Sequence, residues 1–199
     1  MPMMKRIAAF LSLLMLLASH GHSQLSEKAN LFGGITYQFV GFTPLTSPQQ
    51  TLFPLYGLGL GVDYVLAHSN DVASLGINPN AHLCVQFNYN NLSLLASAPT
   101  YLLARIGAGA TPFNEQKLGI GAGVGGSASY FATTDGGGTI SSLFFNPSAC
   151  AELSIRTRGS SYLFRFNWSL MKPTREITYS NLTASYRVGV FGLGVLYSL

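Results

Sequence analysis

Apolar residues alternate with small or polar ones along nearly the whole chain after residue 30, the pattern of strands that carry one apolar face. In 162–171, Tyr162, Phe164, Phe166, Trp168 and Leu170 share one face, while Leu163, Arg165, Asn167, Ser169 and Met171 share the other. Segment 55–67 repeats this, with Tyr56, Leu58, Leu60, Val62, Tyr64 and Leu66 opposite Gly57, Gly59, Gly61, Asp63, Val65 and Ala67. A helical period of about 3.6 residues fits neither. The same reading extends to 31–43, 75–89, 92–108, 117–131, 145–156 and 185–199, which makes eight strands. Segment 92–108 alternates least cleanly, because Leu94-Leu95 and Leu102-Leu103 blur it; as a membrane helix it would be interrupted by Pro99 and Arg105.

Turn residues stand between the strands: Ser69-Asn70-Asp71, Thr111-Pro112-Phe113-Asn114, Asp135-Gly136-Gly137-Gly138 and Arg158-Gly159-Ser160. The links around 44–54, 133–142 and 173–181 are long, and those around 69–71 and 157–160 are short. Such alternation predicts long connections at one mouth of a barrel and short turns at the other, the link at Asn90-Asn91 being the exception.

Lys5 and Arg6 precede an apolar run over residues 7–18, and Gly21 and Ser23 stand before Gln24, so residues 1–23 read as a cleaved secretory signal. The run is too short to span a membrane, which takes about 20 residues. Residues 24–199 then form one barrel domain of 176 residues with nine basic and seven acidic side chains, too weak a bias for a nucleic-acid partner. Eight strands leave about 22 residues per strand and connection, which suits spanning strands of about 9–11 residues; sixteen strands would leave no room for loops.

Only 9% of residues are charged and 12% are aromatic, which excludes a disordered chain, and the 22 glycines show no collagen period. Composition also fixes which way the apolar face points. A soluble lipocalin-like barrel, or a soluble β-sandwich with core aromatics, would need an exterior that is about 25–35% charged. The non-apolar face here is Gly, Ser, Asn and Gln with isolated charges at Asp63, Arg105, Lys117, Glu152, Arg156 and Arg165. That face suits an interior, so the apolar face meets lipid, and strands span lipid only as a closed barrel. The six charges are expected to form a network inside it, because buried charges need partners, with two unmatched positive charges left either to sit near solvent at a mouth or to attract an anion. Tyr56, Tyr64, Tyr162, Trp168 and Tyr197 bracket the apolar stretches as girdles at the lipid interfaces do.

In this architecture the chain resembles the small eight-stranded outer-membrane β-barrel proteins, the porin-family or OmpA-like barrels, over essentially its whole mature length. The last strand carries the most specific likeness: Phe191, Leu193, Val195, Tyr197 and Leu199 alternate like that family's terminal strand, although such strands usually end in an aromatic residue. The resemblance implies an all-β, antiparallel up-and-down transmembrane barrel in the bacterial cell outer membrane. It also implies contact with outer-membrane lipid and recognition of the last strand by the barrel assembly machinery. A monomer is expected, and with no CxxC and no metal-binding His spacing beside Cys84 or Cys150 neither metal nor cofactor is expected.

Residues 121–126, GAGVGG, match a dinucleotide fingerprint, but no helix follows to present its amides to phosphate. Gly119, Gly121, Gly123 and Gly125 instead share one inward face, as do Gly57, Gly59 and Gly61, and Gly192 and Gly194, either making room for long inward side chains or leaving a cavity. His82 shares an inward face with Cys84 and Gln86 and reads as a hydrogen-bonded interior residue, a Cys–His nucleophile being the sharper alternative. Cys84 and Cys150 both point inward by parity and could meet across the lumen. The functional expectation is a non-enzymatic barrel with a structural or surface-interaction role through its outer loops and an unidentified external ligand; the alternatives are a narrow channel for small solutes and a lipid-modifying enzyme.

Overall fold

The computed structural model describes residues 29–47, 49–70, 72–88, 91–111, 114–135, 138–157, 160–179 and 182–198; the expected signal at 1–23 and Leu199 lie outside them. Nine strands follow in order: β1 (Ala29–Pro44), β2 (Thr51–Ser69), β3 (Ala73–Asn88), β4 (Asn91–Gly107), β5 (Leu118–Asp135), β6 (Gly138–Thr157), β7 (Ser160–Ser169), β8 (Thr174–Tyr179) and β9 (Leu182–Ser198). Each pairs antiparallel with its neighbours, and β9 pairs with β1, closing a ring of eight from which β8 stands apart as a further strand on β9. Hydrogen-bonded neighbours followed once around from Phe39, through Phe191, Trp168, Ala149, Val124, Leu102, Ile77 and Tyr64, return to β1 at Ala29, ten residues lower. That stagger tilts the strands by about 40° and leaves an interior just wide enough for side chains.

Segment 92–108 is strand as far as Gly107, despite Pro99, and Ala108 opens the connection that follows. Proline removes a ladder donor, and neighbouring asparagines supply replacements. Asn78 Nδ2 donates to the Val62 carbonyl at 3.0 Å beside Pro79, and Asn80 Nδ2 reaches the carbonyls of Asn78 at 2.9 Å and Pro99 at 3.4 Å.

The expected distribution of long outer links needs correction. Two of the three, 133–142 and 173–181, are largely strand: β5 and β6 pair as far as Asp135 and Gly138, and β8 pairs with β9 from Thr174 to Tyr179. The seventh strand is in effect one strand broken at residues 170–173 and resumed as β8. The break is laced by side chains: Asn146 Nδ2 donates to Ser169 Oγ at 2.8 Å, and Ser169 Oγ accepts from the Val190 amide at 2.9 Å. The longest connection, residues 108–117, lies at the end where β1 begins and β9 finishes, the barrel's terminal end, where the sequence pattern predicts short turns. Gly107 and Gly109, at φ +84° and +79°, turn it back into the barrel mouth, a conformation open to glycine.

Candidate functional site

The lumen is filled by side chains from the inward faces. At its centre Arg105 on β4 and Arg165 on β7 converge on Glu152 on β6, with Arg105 Nε 2.6 Å from Oε2 and Arg165 Nε 2.6 Å from Oε1. Arg105 Nη1 also donates to Asp63 Oδ2 on β2, and Arg165 Nη1 donates to Asn80 Oδ1 on β3 at 2.5 Å. The four charged side chains are at most 2% exposed, and two acids match two bases. The glycine stripes provide the space: Gly121 leaves Arg105 Cγ and Glu152 Oε2 within 3.2 Å of where a Cβ would stand.

Lys117 and Arg156, expected in this network, lie outside it. Lys117 is exposed just before β5, where the inward alternation has not begun, and its carbonyl accepts from the Arg156 amide at 2.8 Å. Arg156, half-buried at the mouth near the termini, donates through Nη1 to the Asn114 carbonyl. It thereby ties down the 108–117 connection, of which Ala108, Ala110, Thr111 and Asn114 are buried.

Apolar layers flank the ionic centre. Toward the termini, Phe32, Leu163 and Leu196 pack together, with the Arg105 guanidinium 5.7 Å from the Phe32 ring centre. Beyond the centre, a polar layer includes Gln38, His82, Ser97 and Asn167 and borders a cavity of only about 10 Å³, room for about one water. Further from the termini, the interior turns apolar, with Val40, Phe42, Leu55, Leu95, Phe131 and Phe144 buried in one cluster. The sequence signal for this cluster is the blurred alternation at Leu94-Leu95 and Leu143-Phe144-Phe145, where both faces are apolar.

His82 and Cys84 are buried in the lumen and bond to different partners. Gln38 Nε2 lies 3.3 Å from His82 Nδ1, and Thr36 Oγ1 lies 3.3 Å from Cys84 Sγ. Cys84 and Cys150 are both free thiols, seated in different clusters, Cys150 against Tyr101 and Leu103. Among the described residues no group of three His, Cys, Asp or Glu side chains could hold a metal ion.

Between two aromatic levels the exterior is apolar and mostly aliphatic, with Phe164 and Phe166 of β7 exposed there as well. Ile35, Leu58, Val124, Leu153, Leu193 and Val195 are among its exposed side chains. Tyr162 and Tyr197 pair across β7 and β9 near the termini, with ring centres 5.4 Å apart. Tyr64 caps β2 at that same end, and Tyr56 and Trp168 stand at the opposite level, where Tyr37 stacks on Tyr56 at 4.4 Å and Phe39 on Phe191 at 4.4 Å. The eight residues from Tyr56 to Tyr64 rise about 20 Å at this tilt, close to the roughly 25 Å apolar band of such barrels. An uncharged belt of this kind around a closed barrel places the strands across a bilayer.

No protein-family model and no curated protein matches the chain. Solved structures do. The attachment invasion locus protein Ail of Yersinia pestis is 11% identical, with a TM-score of 0.52 over 87% of this chain and 99% of its own. The same protein in complex with the heparin analogue sucrose octasulfate is 12% identical, with a TM-score of 0.53 over the same shares. Neisserial surface protein A is 12% identical over 87% of this chain and all of its own, with a TM-score of 0.49. At such identities the likeness is one of architecture: this chain has the closed, eight-stranded antiparallel fold of the small barrels of the bacterial outer membrane.

Proposed function

We propose that the protein is a sealed, monomeric and non-enzymatic barrel of the bacterial outer membrane, with a structural or surface-interaction role expressed through the hairpins at the end away from its termini. One observation carries this reading: the lumen is blocked at its centre by the buried Asp63–Arg105–Glu152–Arg165 quartet, with an apolar layer on each side. An ion crossing would have to displace paired charges and then pass an apolar plug, both costly. The non-enzymatic reading is supported by the burial of His82 and Cys84 in the lumen, away from any lipid substrate. What remains accessible is the rim and its extended β5–β6 and β8–β9 hairpins. Recognition of β9 by the assembly machinery fits the outward Phe191, Leu193, Val195 and Tyr197.

Planar-bilayer recording tests the reading. At high protein density the barrel is expected to give no conductance steps beyond baseline. Regular steps would replace the sealed barrel by a channel, and lipid modification in membranes that His82→Ala abolishes would replace it by an enzyme.

A further inference from the structure

The outward face of the β1–β9 pair carries a feature that sealing does not require. Phe39 faces Phe191 across the pair, their rings stacked at 8°. One outward rung further from the termini, Gly41 faces Gly189. A methyl group on either would strike a side chain lying flat over it. Gln50 Nε2 covers Gly41, and the Lys172 stem covers Gly189, with Cγ, Cδ and Cε between 3.0 and 3.3 Å from the position of a Cβ. On the next outward rung Thr43 faces the exposed Arg187. Arg187 and the link of Thr43, Pro44, Leu45, Thr46 and Ser47 line an open groove of about 290 Å³.

Charge is concentrated at this place. Among the described strand residues, outward-facing charges occur only on β8 and β9, as Glu176 and Arg187, and Lys172 adds a second cation beside them. Glu176 faces Ser185, diagonal to Arg187, so the patch keeps a net positive charge. The two cations sit just beyond an aromatic girdle, the level at which headgroups lie. Guanidinium and ammonium groups beside hydroxyls suit a phosphate carried on a sugar. The stacked phenylalanines below offer an apolar wall to acyl chains.

We propose that this groove, with Arg187 and Lys172 on its flank, binds the phosphorylated sugar headgroup of an outer-leaflet glycolipid whose acyl chains run down over Phe39 and Phe191. The inference rests on the reading above that the barrel spans an outer membrane with this rim outermost.

The chain has a single tryptophan, Trp168, which faces Phe191 in the register and so reports on the site. The mature chain, refolded in neutral detergent, is titrated with bisphosphorylated lipid A, with its dephosphorylated form, with inorganic phosphate and with heparin. Saturable change in Trp168 emission is expected for the bisphosphorylated glycolipid, with affinity lower by roughly tenfold or more in the Lys172→Gln/Arg187→Gln variant. Gly189→Leu, which displaces the Lys172 stem, is expected to weaken binding likewise while leaving the barrel folded. Equal affinity for the dephosphorylated lipid, or an unchanged double variant, overturns the proposal. Tighter binding of heparin or of free phosphate overturns it in favour of a soluble anion. Heat-dependent gel mobility after insertion into vesicles separates the two readings: without it the spanning barrel itself fails, whereas with it and no discrimination only the headgroup site fails.

Discussion

Arg105 Nε and Glu152 Oε2 meet at 2.6 Å in the middle of the lumen, while the other oxygen of the same carboxylate is held by Arg165. Glu152 is therefore the joint of the network, and three strands, β4, β6 and β7, are cross-linked through it. Glu152→Gln leaves Arg105 with Asp63 as its carboxylate and Arg165 with Asn80 but no carboxylate, both buried. Breaking a buried pair from one side costs about 3–5 kcal/mol. The variant is expected to unfold at clearly lower urea concentration in vesicles and to lose its folded gel mobility at lower temperature; wild-type midpoints would show that the quartet does not hold the barrel together.

The glycine stripes make a second, sharper prediction, because the structure distinguishes glycines that parity alone treats alike. A Cβ on Gly57 would run into the Leu83 carbonyl oxygen and the Cys84 Cα, which are backbone atoms that cannot step aside. A Cβ on Gly194 would meet nothing nearer than 3.5 Å. Gly57→Ala is expected to block refolding into the compact barrel, and Gly194→Ala to refold as the wild type does. Equal refolding yields would mean that the stripe serves curvature generally rather than close approach at particular rungs.

The alternation in the sequence carried the ring of eight and the inward placement of Asp63, Arg105, Glu152 and Arg165, because in a closed barrel parity alone decides which face a residue shows. Parity stops being informative where strands begin, so it points Lys117, one residue before β5, into an interior that its side chain does not enter. It also fails where both faces are apolar: the Phe131 and Phe144 cluster looks in sequence like an imperfect lipid-facing strand. The 133–142 and 173–181 stretches read as loops from their Gly, Ser and Pro content, yet pairing with a well-formed neighbour extended them as strands. The basic seat over Gly41 and Gly189 was invisible, since Gln50, Lys172 and Arg187 come from three separate parts of the chain.

The cysteines give a third prediction. Both are buried free thiols, Cys84 held against Thr36 and Cys150 between Tyr101 and Leu103. Neither can meet a water-borne reagent while the lumen is filled. A charged maleimide is expected to label neither residue in the folded barrel and both after boiling in detergent, and reductant is expected to leave gel mobility unchanged. Labelling of Cys150 in the folded state would show that water reaches the centre of the lumen and would argue for a channel.

The last prediction concerns the mouth near the termini, where Arg156 donates to the Asn114 carbonyl and Asn114 Oδ1 accepts from the Gln116 amide at 2.7 Å. Ala108 and Ala110 are fully buried behind these contacts, although they belong to a connection rather than a strand. Hydrogen bonds to charged groups contribute about 1.5–3 kcal/mol, equivalent to roughly 10- to 100-fold in a local opening equilibrium. Arg156→Gln is therefore expected to speed amide exchange at Ala108 and Ala110 by such a factor, with the paired amides of β4 and β5 unchanged. Conductance is expected to stay at baseline, because Phe32, Leu163, Leu196 and the ionic quartet still close the lumen behind the loop. Current through the Arg156→Gln barrel would mean that the loop itself is the seal and that the side chains behind it leave a path for ions.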